Sequence, residues 1–493
     1  MFQRMEQVHS FLSTGAKNVA IAVIGDVMLD KYYYGEVKRI SPEAPVPVTR
    51  VTGERQTLGG AANVAANLAR LGCRVWMGGI SGDDTNRQAV CELLASAGID
   101  YSGLIITDRH TIAKLRIVGA HQQMLRLDFE EPGPLKVEEQ TKLQAWFENL
   151  LRQKINGVIL SDYAKGVCTP DFCQYVISRC QQAGIPVLVD PKGADWLKYR
   201  GAGFITPNVK ELGEAFNRSL KNEDAVIRQY AHEARAAFDI PNLVVTRSER
   251  GLSVVNGGME VHIPTQAREV YDVSGAGDTV AAVFLAAFAA GVGMGDAALL
   301  ANLAAGVVVS KVGTYAITAE ELKQAVQSQY AATVTEGKIL AWPELEQSID
   351  QWRAAGDTLV FTNGCFDLLH MGHVTYLQKA RKLGDKLILG LNTDASVAGL
   401  KGPSRPIVAE MDRAQVMAAL ECVDAVILFD EETPLELIRR VKPDILVKGG
   451  DYKPEEVVGR EFAGKVEIID FEPGRSTTGL IQRILATYKE ATI

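Results

Sequence analysis

The chain has 493 residues, of which 47% are hydrophobic and 23% charged, and a formal net charge of -8. This balance excludes a disordered or fibrous protein and argues against non-specific nucleic-acid binding, while the length predicts two or three domains. The seven cysteines are scattered, odd in number and without a Cys-x-x-Cys pair, and no run of about 18 uncharged apolar residues occurs. Neither a disulfide framework nor a zinc ribbon is expected. With no apolar core before a cleavage site near the amino terminus, the expected location is the cytoplasm.

Residues 18–25 read as a buried strand leading to Asp26 and Asp30, beyond the carboxyl end where open α/β sheets bind ligands. Residues 32–54 mix aromatic and β-branched side chains with Pro42, Pro45 and Pro47, which predicts short edge strands in a flap. Such a flap covers a substrate or pairs with a second copy. Gly59-Gly60-Ala61-Ala62-Asn63 opens a small-residue helix. Its glycines permit close backbone approach to a ligand and Asn63 offers donors and an acceptor, although tight helix packing explains the same residues.

Paired strands are expected at 111–118 and 123–127, a helix at 135–154, and further strands at 157–161, 186–189 and 203–206. The alternation with helices predicts a largely parallel sheet covered on both faces. Asn208 and Glu211, three apart at a helix start, share a face. They either orient water around a phosphate-bound metal or cap the helix. Lys192 is a phosphate contact or a solvated surface lysine. Arg247, between the hairpin strands 243–246 and 251–256, touches phosphate or faces solvent in a turn.

The stretch 270–279 places Asp278 after Ser274-Gly275-Ala276-Gly277 and before an apolar, alanine-rich helix. Backbone N–H groups at such a helix start receive phosphate oxygens, and Asp278 would accept a proton from a substrate hydroxyl. A glycine turn capped by Asp278 is the alternative. Asn302 lies in a small-residue helix with room for a flat base, or in ordinary packing. The first domain is expected over 1–318, a linker over 319–342 and a second domain over 343–493, with strands near 358–362, 386–391, 425–429, 445–448 and 466–469.

In the second domain a strand feeds Asn363-Gly364-Cys365-Phe366-Asp367 and then His370-Met-Gly-His373. The spacing brings two imidazoles onto one face of a helix start, with Gly372 leaving space for phosphate. Imidazoles donate to phosphate oxygens and stabilise the charge of departing pyrophosphate, whereas a zinc pair lacks an evident third ligand. Satisfied structural histidines are the alternative.

Over roughly residues 15–320, the motifs Gly59–Asn63, Asn208-x-x-Glu211 and Asp272–Asp278 resemble the ribokinase, or PfkB, family of carbohydrate kinases. That resemblance implies a ribokinase-like α/β domain with a β flap. It implies Asp278 as general base, backbone donors at Gly275, Ala276 and Gly277, and Asn208 and Glu211 organising Mg²⁺, through water, with ATP. Asp26, Asp30, Gly59, Gly60 and Asn63 would hold the sugar and Asn302 the nucleotide. The flap resembles dimer-forming lids, so a homo-oligomer is expected.

The second domain resembles the cytidylyltransferase-like nucleotidylyltransferases, through the histidine motif, Gly390–Asp394, Lys448–Tyr452 and Gly474–Thr478. That resemblance implies a Rossmann-like domain, catalytic His370 and His373, and ATP contacts from Asn363, Gly364, Phe366, Asp394, Lys448, Ser476, Thr477 and Thr478. The implied chemistry is direct attack of a substrate phosphate on the nucleotide α-phosphate, with no covalent protein intermediate. Lys401 and Arg405 neutralise charge from a mobile loop or are simply solvated, and Asp367 orients the site.

Both domains in this order resemble the bifunctional enzymes of bacterial ADP-heptose synthesis, which implies heptose phosphates and ATP as substrates, with neither nucleic acid nor membrane as partner. A kinase and nucleotidylyltransferase of another sugar pathway, or a noncatalytic nucleotide sensor, is the competing reading.

Overall fold

In the computed structural model, residues 2–119, 122–265, 270–311, 313–450, 453–470 and 487 are described. The chain divides into two compact units between Gln327 and Ser328. The strands of the first are β1 (Ala20–Gly25), β2 (Val27–Ile40), β3 (Pro47–Gly60), β4 (Arg74–Ser81), β5 (Asp100–Ile106), β6 (Ala113–Gly119) and β7 (Gln122–Phe129). They continue with β8 (Gly157–Ser161), β9 (Val187–Asp190), β10 (Phe204–Ile205), β11 (Asn242–Thr246), β12 (Leu252–Val255) and β13 (Glu260–Ile263).

Nine strands form one sheet in the order β13-β12-β11-β10-β9-β8-β1-β4-β5. Neighbours from β11 to β5 are parallel, and β12 runs antiparallel to both of its neighbours. Alternation along β1 sends Ile21 and Val23 into one core and Ala22 and Ile24 into the other, so the strand is buried on both faces. Burial of Ile21, Val23 and Ile24 stabilises the fold by about 1.5–3 kcal/mol each. The helix Ala276–Ala289 is buried at every residue from Asp278 to Ala287; from Val280 onward it is apolar all round and largely small, so it packs closely on the sheet.

The remaining strands make a four-stranded sheet, β3-β2-β6-β7. Here the sequence expectation of short strands fails: β2 and β3 are 14 residues each and pair from Val27 opposite Gly60 to Ile40 opposite Pro47. The prolines do not interrupt them, since Pro42 and Pro45 lie in the connection and Pro47 takes the first position of β3, where a missing N–H is tolerated.

The helix Ala319–Glu336 occupies most of the stretch read as a linker, and its Leu322 and Val326 pack in the first unit's core. The second unit contains β14 (Leu359–Gly364), β15 (Lys386–Asn392), β16 (Ala425–Phe429), β17 (Ile445–Gly449) and β18 (Lys465–Ile469). Their order is β16-β15-β14-β17-β18 and all pairs are parallel. The central strand β14 therefore delivers residues 365–373 to the carboxyl edge of the sheet, above its topological switch point. Among the described residues, no helix is long and apolar enough to cross a membrane.

Candidate active sites

In the first unit Gly275 caps the helix Ala276–Ala289 with φ +81°, and a Cβ there would come 2.8 Å from Asn63 Nδ2. The left-handed turn and the crowding both require glycine. Asp278, in the first turn, is gripped from two sides: Asn63 Nδ2 donates to Oδ2 and the Tyr163 hydroxyl donates to Oδ1, each at 2.7 Å. Burial pushes the Asp278 carboxyl up, and the two donors pull it back towards the charged form. The Ala276 N–H points to Val273 O at 3.3 Å, whereas those of Gly277 and Asp278 fall in the first turn without an intrahelical carbonyl.

A cleft of about 160 Å³ opens beside Asp278, lined among others by Gly277, Asp190, Lys192, Asn208 and Glu211. Asn208 and Glu211 do cap their helix: Asn208 Oδ1 accepts from Glu211 N at 2.9 Å, and Glu211 Oε2 accepts from Asn208 N at 3.0 Å. Cap and cleft are compatible roles, because Glu211 Oε1 also holds Lys192 Nζ at 2.8 Å. Lys192 is thus paired in the cleft and not simply solvated. Asp190 is raised well above the carboxylate range by burial and by the nearby charges of Asp278 and Glu211.

A larger cleft of about 1000 Å³ lies under the flap, lined by Tyr32, Tyr34, Arg116, Tyr271, Asp272 and Ser274 among others. Asp30 is buried and accepts from Arg116 Nη1 at 2.6 Å. Gly59 faces that carboxylate so closely that a Cβ would sit 2.6 Å from Asp30 Oδ2. Gly60, at φ +57°, turns the chain against Asp26 O. Both positions are too crowded for a side chain.

Asp26 is engaged by the protein's own main chain. Its carboxylate accepts the backbone N–H groups of Tyr163, Lys165 and Val167 at 2.9, 2.9 and 3.1 Å, which ties down the loop after β8. Asn302, the expected nucleotide contact, donates to Pro264 O at 2.8 Å. Arg247 neither faces solvent nor lines the cleft: it is fully buried and bonded to Asn222, Ser253 and Asp224.

In the second unit His370 caps the helix Met371–Arg381, and its ring stacks on that of His373 with centroids 3.8 Å apart. Both Nδ1 atoms are buried without a hydrogen-bond partner. Burial lowers both imidazoles, His373 to about 4 with His370 and Lys401 adding to the effect. Phe366 meets His373 edge-on at 5.2 Å. Lys448 Nζ donates to Asn363 Oδ1 at 2.6 Å, and burial lowers that ammonium to about 8.

Asp367 joins the segment 405–408 to the histidine loop: it accepts from Arg405 Nε at 2.6 Å and from Ile407 N and Val408 N at 3.1 Å. Burial disfavours its charge, but these donors outweigh that and hold it low. Arg405 is therefore paired, not solvated, while Lys401 is exposed. Asp394 accepts from Arg413 Nη2 at 2.7 Å. Ser476, Thr477 and Thr478 lie outside the described residues.

Sequence reasoning missed Tyr163, Asp190, Arg116 and Arg413 as site residues. Arg413 is buried and also donates to Cys365 O at 2.6 Å and Val408 O at 2.9 Å, joining three segments around the histidines. Only a charged residue at a core position of its helix could have signalled it.

Residues 19–321 match the pfkB family of carbohydrate kinases and residues 361–483 the cytidylyltransferase-like family. The bifunctional protein HldE of Methylobacillus flagellatus is 48% identical, across 96% of this chain and 99% of that one. The chain belongs to the HldE family. Its member from Syntrophotalea carbinolica is 47% identical over 98% of this chain and 99% of its own. The chain is accordingly a bifunctional enzyme, an ATP-dependent kinase and adenylyltransferase of heptose-phosphate intermediates in ADP-heptose synthesis. The fold of the first unit is that of Escherichia coli phosphofructokinase-2, with TM-score 0.54 at 20% identity, covering 63% of this chain and 99% of that one. Arabidopsis thaliana ribokinase gives 0.50 at 18% identity, with the same coverage.

Proposed function

We propose that the first unit transfers the γ-phosphoryl group of ATP to O1 of D-glycero-β-D-manno-heptose 7-phosphate. The second then transfers AMP from ATP to heptose 1-phosphate, after a separate phosphatase has removed the 7-phosphate. The observation that carries the kinase reading is Asp278, a buried carboxylate held by two donors at the edge of the cleft that Asn208 and Glu211 also line. It accepts the O1 proton as that oxygen attacks phosphorus, while Gly277 and Asp278 N–H groups face the charge on the transferred group. Asp30 and Asn63 hold sugar hydroxyls on the flap side.

Mg²⁺ fits the cleft through water and phosphate oxygens: Asn208, Glu211 and Asp190 line it, yet no three acidic, histidine or cysteine groups among the described residues converge on one ion. Bound there, Mg²⁺ neutralises phosphate charge. In the second unit both histidines are neutral at pH 7, and each has a ring N–H for leaving pyrophosphate. Lys448 and Asn363 hold nucleotide phosphate. A dimer through the flap is supported by exposed Met124, Leu125, Leu127 and Phe129 on β7. This reading places the protein in the cytoplasm, with its ATP.

Mass spectrometry and phosphorus NMR of reactions with Mg·ATP test both assignments. The 7-phosphate should give the 1,7-bisphosphate, and the 1-phosphate should give ADP-heptose plus pyrophosphate. If other sugar phosphates react and these do not, the heptose assignment is wrong.

A further inference from the structure

We infer that Tyr163 is a positioning residue of the kinase reaction, orienting Asp278 through its hydroxyl and setting the pH range over which that carboxylate can take a proton. The inference rests on the reading of Asp278 as the base.

The geometry begins at the end of β8. Asp26 binds the backbone N–H groups of Tyr163, Lys165 and Val167, so the loop has little freedom and the Tyr163 ring is aimed from a fixed main chain. The hydroxyl then reaches Asp278 Oδ1 at 2.7 Å, opposite the Asn63 amide on Oδ2. One donor on each oxygen fixes the carboxylate plane and leaves the remaining lone pairs for the substrate hydroxyl. Tyr163 also lines the cleft that holds Asn208 and Glu211, so the same ring borders both the base and the phosphate site.

The hydroxyl cannot itself act as the base at neutral pH, since burial and the Asp278 charge push it far above its ordinary value. It remains a donor. A donor favours the charged carboxylate, and its removal makes Asp278 easier to protonate. The other ionisable groups around Asp278 are Asp30 on β2, Lys114 on β6 and Asp190 at the end of β9, with Asp162, Lys192 and Glu211 lining the same cleft. Lys114 also stands over the Tyr163 ring, 5.7 Å from its centroid. None of these is altered when only the tyrosine oxygen is removed.

The test uses the full-length enzyme, with kcat and KM for the kinase reaction measured across pH. Tyr163→Phe should move the acid limb of kcat upward by about one pH unit, lowering turnover roughly tenfold on the limb, with KM for the sugar phosphate within about twofold. An acid limb that stays in place overturns the inference, whether turnover is unchanged or falls equally at all pH. If that variant does not fold, 3-fluorotyrosine at position 163 preserves the shape with a stronger donor and should move the limb downward; an unmoved limb again overturns it. Asp278→Asn separates the two readings. Retained turnover there removes the base itself, whereas a dead Asp278→Asn with an unmoved limb in Tyr163→Phe removes only the role of Tyr163.

Discussion

Two donors of different chemistry, an amide and a phenol, meet the Asp278 carboxylate at the same 2.7 Å. Asp278→Asn keeps the shape but cannot accept the proton, so kinase turnover should fall by about 10²- to 10⁴-fold while adenylyl transfer is retained in separate assays. At the other site, His373→Ala removes a phosphate donor, and adenylyl transfer should fall by about 10²-fold with kinase turnover intact. His373 also predicts a pH effect on stability. Its folded value is about 4 against 6.5 for a free imidazole. Its favourable contribution is thus full above pH 6.5 and is lost as pH falls towards 4, because the unfolded chain binds protons that the folded one resists. Urea midpoints at pH 7 and pH 5 should differ less for His373→Gln than for the parent chain. These residues were legible in the sequence because their chemistry lies at short, fixed spacings. Tyr163 and Asp190 were not, since only the parallel order of β1, β8 and β9 brings them to Asp278.

At the scale of elements, the same distinction separates the strands from their connections. Apolar runs announced β1, β8, β14 and β15, and the hairpin read at 243–246 and 251–256 is β11 and β12. The flap was legible as a flap but not in its length, because prolines that read as interruptions sit in the turn and at the first position of β3. Arg247 read as a turn residue because its partners, Asn222 and Asp224, come from the segment preceding and opening a helix more than 20 positions earlier. Arg247→Ala should therefore destabilise the first unit by about 2 kcal/mol, measured by denaturant titration, through lost hydrogen bonds and not through a direct effect on phosphate binding. A KM for ATP raised more than tenfold with unchanged stability would contradict this. Arg413 was illegible for the same reason: the carbonyls of Cys365 and Val408 are neighbours only after β14 and the helix Glu410–Ala418 have packed.

For the molecule as a whole, each unit has its own sheet and its own candidate site. A chain separated between residues 336 and 338, beyond the helix Ala319–Glu336 and before the segment 338–340 that pairs with β16, should yield two pieces that retain kinase and adenylyltransferase turnover within about threefold. Loss of either activity on separation would show dependence across the junction. The separateness also has a genetic meaning. Because the proposed product of the first site must leave for another enzyme before the second site receives it, nothing requires both reactions to occur on one polypeptide. A cell carrying one copy with Asp278→Asn and another with His373→Ala should therefore make ADP-heptose, although neither allele alone would do so. The two alleles would behave as separate complementation groups within one reading frame.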